Sequence, residues 1–322
     1  VTGSRPRSRP AAPTVAALLL GLGPAAASCA AAVPVPAVPE PAGTPGFPPA
    51  VFDDPDWVLL VRPAALRDES SFAALLRGLD LADPFDAFLA DHGLDPTTLG
   101  WVRVESAGGV LAFVVAAPAA SGLAHALASV DEGSPPAPPA ASPATPDRPP
   151  WSAATDGDWG LVRRETAAAP TSARPDDPAA ADLARLQRRV ETPDLLFLRR
   201  RPPAVRPELD PTGLLAGTRA VGCVAAGEPT ATLRFGCALF RPADDRLSTQ
   251  SLRQLQTTVF DSTLGTILNL EGAARELQFD PEPGAAYLEA VLDVAKLLPG
   301  LRVLASVPLA HILQDPAPPP GP

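Results

Sequence analysis

Pro55-Asp-Trp-Val-Leu-Leu-Val-Arg-Pro63 and Pro193-Asp-Leu-Leu-Phe-Leu-Arg-Arg-Arg-Pro202 are two versions of one phrase. Each opens on a Pro-Asp turn, runs through a short apolar stretch and stops at arginine and proline. Such a stretch falls well short of a helix of about 10–12 residues and is bounded by turn formers, which reads as a buried strand. Outward from the first copy, Leu66, Phe72, Leu75, Leu76 and Leu79 recur at helical spacing. Asp83-Pro84 is an N-cap followed by proline at the first helical position. It opens a helix that carries Phe85, Phe88 and Leu89 and ends at Gly93. Trp101–Ser106 and Val110–Ala116 read as a hairpin around Gly108-Gly109, and residues 122–130 as a helix.

Outward from the second copy, Arg219–Ala226 and Ala231–Phe240 form a hairpin, with a helix from Leu247 to Leu268. The order β-α-β-β-α therefore occurs twice, as an internal duplication would produce. The expected fold class is α+β: antiparallel sheets with helices packed on one face, in two similar β-α-β-β-α halves. Between the copies, a strand near Trp159–Arg164 follows the Asp156-Gly157 turn. Asp177-Pro178 starts a helix to Val190, with Leu183, Leu186 and Val190 inward and Arg185, Arg188 and Arg189 outward. A helix over 284–298 and a strand over 301–307 complete the expected elements. The halves fall at 51–130 and 151–313, joined by a Pro-rich linker at 131–150 and followed by a Pro-rich tail at 314–322.

A strand ending in Arg-Pro, amphipathic helices, Gly93-Leu-Asp-Pro96 and a hairpin together resemble uncharacterised repeat proteins of the bacterial envelope, the DUF3352 family. The resemblance covers roughly 55–130 and, more faintly, 193–270. It implies an envelope location and a duplicated α+β fold. It implies no activity, and no functional residues carry over.

The N-terminus carries its own address. Arg5, Arg7 and Arg9 precede the apolar run Val15–Leu22, and small residues follow from Pro24 to Ser28. A positive start, an apolar core of about 7–15 residues and a small-residue cleavage site define an export signal, here 1–28. The run is shorter than the roughly 20 apolar residues that span a bilayer. Ala27-Ser28-Cys29 resembles a bacterial lipobox, with Ala26 where leucine is usual, and marks Cys29 for lipid attachment. Ordinary cleavage after Ala27, Ser28 or Ala32 and an uncleaved anchor are the alternatives. Residues 29–50 are Ala/Pro-rich with one charge, Glu40, and suit an extended tether.

The formal net charge is −10; removing Arg5, Arg7 and Arg9 with the signal takes it to −13. An acidic chain lacks the basic footprint that supplies most non-specific nucleic-acid affinity, so no nucleic-acid partner is expected. Beyond Cys29, the cysteines are Cys223 and Cys237, one on each strand of the second hairpin. A tight turn sets Cys223 opposite Arg234, which favours two buried thiols. A disulfide between Cys223 and Cys237 needs a longer loop or a bulge.

His92, His125 and His311 lie far apart and lack a metal-type partner one helical turn away. No nucleophile elbow, P-loop or dinucleotide fingerprint is present. Asp53, Asp54 and Asp56 read as a solvated turn, not a Ca²⁺ loop. Neither Glu69 with Asp86 nor Asp280 with Glu282 is placed in a cleft by its pattern. Arg188, Arg189, Arg199, Arg200 and Arg201 form a candidate anion-contact patch, against the plainer reading of a solvated surface. No catalytic residue, metal site or cofactor is expected. The expected function is an exported, lipid-anchored envelope protein on the periplasmic side, with a non-enzymatic binding or structural role. Its partners would be the membrane, through the N-terminal lipid, and an envelope protein. A carrier of an apolar ligand, or an enzyme assembled from dispersed acids and a histidine, are the competing readings.

Overall fold

The computed structural model describes residues 47–306 apart from 68–69, 109, 133–150, 165–177, 191, 201–216, 229–230, 244 and 246. The signal, Cys29, most of the tether, the tail, Arg201 and His311 lie outside the described residues. One ten-stranded sheet organises the rest. The two phrases form β1 (Trp57–Val61) and β6 (Leu195–Arg200), which pair antiparallel at its centre. From β1 the sheet continues through β2 (Val102–Ala107), β3 (Val110–Ala116), β5 (Trp159–Arg164) and β4 (Trp151–Asp156). From β6 it continues through β7 (Ala220–Gly227), β8 (Thr232–Phe240), β10 (Ala285–Asp293) and β9 (Ala274–Glu282). The two sides have the same order, every pairing is antiparallel, and the two halves share one sheet.

The Pro-Asp turns explain why each phrase leads to a hairpin. Asp56 Oδ2 accepts a hydrogen bond from Gly108 N at 2.8 Å, at the tip of the β2–β3 hairpin. Asp194 Oδ2 accepts one from Gly227 N at 2.9 Å, at the matching end of β7. Each aspartate thus ties the start of its central strand to the turn of the hairpin beside it. Across the seam, Arg62 N donates to Asp194 O and Arg200 N to Asp56 O, both at 2.9 Å.

One face of the sheet carries the helical layer. Leu59, Val104, Phe113, Val115, Phe197, Cys223, Leu233, Leu288 and Leu292 pack there. Opposite them lie α1 (Ser71–Gly78), α2 (Ala82–Asp91), α3 (Pro96–Leu99) and α4 (Ala120–Glu132), with α6 (Thr249–Phe260), α7 (Thr263–Leu268), α8 (Leu270–Ala273) and α9 (Val294–Ser306) over the second half. Helix α5 (Pro178–Gln187) crosses to the other face. There Leu183, Leu186 and Val190 cover Leu196, Leu198, Val224 and Ala238.

Four expectations about elements change. Residues 151–164 were grouped with the second half, but their strands β4 and β5 extend the first half's side of the sheet through β3. The helix expected over 247–268 is two helices, because Ser262 caps a new start by accepting from Gly265 N at 3.0 Å. The helix expected over 284–298 is mostly β10, and Pro283-Gly284, with Gly284 at φ +71°, turns β9 into it. The strand expected over 301–307 is instead the end of α9, which continues through Pro299. Proline disfavours a helix interior, and tertiary packing outweighs that preference here.

Candidate functional site

The first half's free face is covered by the chain arriving from the N-terminus. Residues 47–52 lie across β2, where Phe47 stacks edge-on against Trp101 with ring centroids 5.0 Å apart. Val51 N and Phe52 N both donate to Glu105 Oε2 at 2.9 Å. Arg103 Nε donates to Glu105 Oε1 at 2.6 Å, and Arg103 Nη1 reaches Pro48 O at 3.2 Å. Glu105 is fully buried and Arg103 5% exposed. A buried carboxylate is tolerable because a paired guanidinium and two backbone N–H groups hold its charge. Sequence reasoning did not single out this pair; the alternation Arg103, Glu105 on a strand otherwise apolar on that face was the available signal.

The arginine patch is divided by the fold. Helix α5 docks because Gly222 on β7 leaves room for Leu186; a Cβ there would collide with that side chain. Asp182 on α5 is buried and takes both Nη atoms of Arg219, at 2.6 and 2.7 Å. Arg185 reaches Glu282 at 3.1 Å. Arg189 pairs with Asp280 at 2.5 Å and with Glu282, and its guanidinium lies 3.5 Å from the centroid of the Tyr287 ring. Arg188 is exposed, and Arg200 pairs with Asp54. Strand alternation sends Arg199 to the face opposite Arg200. Arg188, Arg189, Arg199 and Arg200, the four among the described residues, do not form one surface. Asp280 and Glu282, considered as an acid–base pair, serve as anchors for α5.

Glu289 lies beneath this network, 14% exposed, with Arg189 Nη1 at 3.8 Å. Burial is the main influence on its carboxyl and pushes the pKa up to about 7, with Arg189 opposing and Asp280 adding. Burial also raises the Tyr287 hydroxyl. For Arg185, burial opposes the charged form, but Tyr287 and Glu282 outweigh it and its pKa rises.

His92 and His125, which the sequence left isolated, meet in the helical layer. His92 caps the C-terminal end of α2, and its ring stands 5.7 Å from that of His125 on α4 and 4.9 Å from Phe88. Ser129 Oγ lies 3.3 Å from His92 Nε2, while Nδ1 is buried without a hydrogen-bond partner among the described residues. The spacing of His125 and Ser129, one turn apart on α4, was legible; the approach of α2 was not. Two imidazoles fall short of the three or four ligands of a zinc site. Among the described residues no three His, Cys, Asp or Glu groups converge as a metal site.

Cys223 and Cys237 are directly opposite in the β7–β8 register, with Cα atoms 4.1 Å apart, and a disulfide joins them. The tight turn that set Cys223 against Arg234 is corrected: Arg234 faces Ala226, and a longer loop shifts the register. Of the three aspartates before β1, Asp56 caps the hairpin and Asp54 pairs with Arg200, so neither is free for a cation. Asp86 is engaged by Arg67 at 2.8 Å; Glu69 lies outside the described residues. A shallow, open depression of about 270 Å³ sits at the α6–α7–α8 corner, lined by Phe260, Asp261, Gly265, Thr266, Asn269 and Glu271. Its polar lining does not suit an apolar ligand. Among the described residues no helix is long and apolar enough to cross a membrane.

No family model and no curated protein matches the chain. Among solved structures, crystal form III of TP0453 aligns with TM-score 0.39 and 8% identity, covering 79% of this chain and 96% of that one. Crystal form I of TP0453 aligns with TM-score 0.34 and 9% identity, covering 79% and 95%.

Proposed function

We propose that this chain is an exported envelope protein, held to a membrane by lipid on Cys29, whose folded body has a non-enzymatic binding or structural role toward an envelope partner. One observation carries the reading. The segment that follows the Ala/Pro-rich tether is fixed to the sheet by Glu105 at Val51 and Phe52. An extended tether of about 3.1 Å per residue would then end at a defined point on the folded body. The export signal and the lipobox-like Ala27-Ser28-Cys29 supply the other end. The acid and histidine groups have local structural uses, as partners of α5, hairpin caps and interhelical contacts, which favours recognition over acid–base chemistry.

Growth of a bacterial host expressing the full chain on an alkyne-tagged palmitate, followed by mass spectrometry of the mature N-terminus, tests the anchor. The expected result is label on Cys29 and membrane fractionation, with Cys29→Ala exported but released. A mature N-terminus beyond Cys29 without acyl mass overturns the lipid anchor. Substrate turnover by the purified folded body, lost on replacing one of its buried acids or His92, overturns the non-enzymatic role.

A further inference from the structure

Among the described residues, α5 is the helix that lies on the face away from the helical layer, and its seat is unusual. Its apolar stripe rests on the sheet, but its arginines reach over the rim into carboxylates of β9 and β10. Arg189 makes its close contacts with Asp280 and Glu282. Glu289, under the same guanidinium, stands back at 3.8 Å and is the third carboxylate around a charge already matched. Opposite Glu289 on β8 is Gly236, where a Cβ would stand 3.2 Å from Glu289 Cγ and 3.1 Å from Val224 Cγ1. The carboxyl stem is thus packed against the sheet.

From this arrangement we infer that the seating of α5 is governed by the ionisation of Glu289: the helix is held firmly at acidic pH and loosens as pH rises through neutrality. The charged and titratable groups around Glu289 come from three other elements. Helix α5 contributes Arg185 and Arg189, β9 contributes Glu276, Asp280 and Glu282 with Gln278 directly opposite, and β8 contributes Arg234. On β10 itself, Tyr287 is the titratable neighbour on the same face. Removing the proton adds a negative charge where Asp280 and Glu282 already engage Arg189, and where burial strips water from it.

The sign follows from linkage. Burial raises Glu289 to about 7 in the seated state. Lifting α5 restores contact with water and an ordinary carboxyl, so the seated state binds more protons. The stabilisation is fully present below the ordinary carboxylate range and is lost as pH rises through about 7. Full recovery of the ordinary value on lifting sets an upper limit of about tenfold in the seating equilibrium per pH unit within that window.

Hydrogen exchange of the full chain at pH 5 and pH 8, corrected for intrinsic exchange rates, reads this directly. Protection of the α5 amides should fall several-fold at pH 8, while α1 in the helical layer keeps its protection. Glu289→Gln should retain acid-like protection of α5 at both pH values. Equal α5 protection in the wild-type chain at the two pH values, or an undiminished pH effect in Glu289→Gln, overturns the proposal. Carboxyl carbon resonances of the wild-type chain give a second test that needs no variant. A Glu289 midpoint near 7 supports the inference, and one in the ordinary range near 4.3 overturns it.

Discussion

Leu59 and Phe197 stand opposite one another where β1 pairs with β6, and each is the fifth residue of its own Pro-Asp phrase. Each residue therefore faces its own counterpart. A local two-fold axis through this pair relates the two sides of the sheet, whose strand orders match. The paired bonds Arg62 N to Asp194 O and Arg200 N to Asp56 O obey the same axis.

Glu105→Ala should release residues 47–52 and leave Arg103 buried without its carboxylate. Removing one partner of a buried ion pair costs about 3–5 kcal/mol. Urea denaturation should show that loss, and limited proteolysis should cut near Val51 in the variant before the sheet unfolds.

Reducing the Cys223–Cys237 disulfide, or replacing both residues by alanine, should destabilise the fold. The bridge closes a loop of sequence separation 14. A loop of about that length corresponds to roughly 3 kcal/mol in the chain-entropy description. Denaturation midpoints with and without reductant measure it. Equal midpoints would show that the bridge contributes nothing to stability.

Gly222→Ala should displace Leu186 and lift one end of α5. Overpacking of this kind costs about 1–3 kcal/mol. Compensation by Leu186→Ala in the double variant would localise the effect to that contact; additive losses would count against it.

Asp293 has its pKa lowered, chiefly by the Arg275 guanidinium that hydrogen bonds to it at 2.6 Å. A lowered folded-state pKa contributes stability above the unfolded value that disappears as pH falls through the folded value. Asp293→Asn should therefore flatten the acid limb of the stability profile, by under about 1 kcal/mol because Arg275 is largely exposed. An acid limb identical to wild type would rule this contribution out.

The central phrases and the first hairpin were readable because strand alternation and Pro-Asp turns are local signals. β10 was misread because Ala285–Asp293 is apolar on one face and broken on the other only by Glu289 and the terminal Asp293, and such a mostly apolar run does not distinguish a buried strand from a helix. Register was the other gap. Whether Cys223 faces Arg234 or Cys237 depends on loop length, which composition leaves undetermined. The anchoring of Arg189 and the meeting of His92 with His125 required knowing that β9 runs beside β10 and that α2 ends against α4. Such contacts join residues distant in sequence, and no local pattern encodes them.

The central seam also sets a schedule for folding. Strand β1 is synthesised well before its partner on one side, β6, which follows only after the rest of the first half and α5. At about 5–20 residues per second, that interval is on the order of ten seconds. Throughout it, β1 presents a row of unpaired backbone groups flanked by Leu59 and Leu60. Slow pairing between distant strands leaves a chain open to aggregation. A chain delivered unfolded through an export channel would avoid that exposure in the cytoplasm and zip the seam only after crossing. The β1–β6 seam thus makes assembly of the sheet depend on both halves being present together.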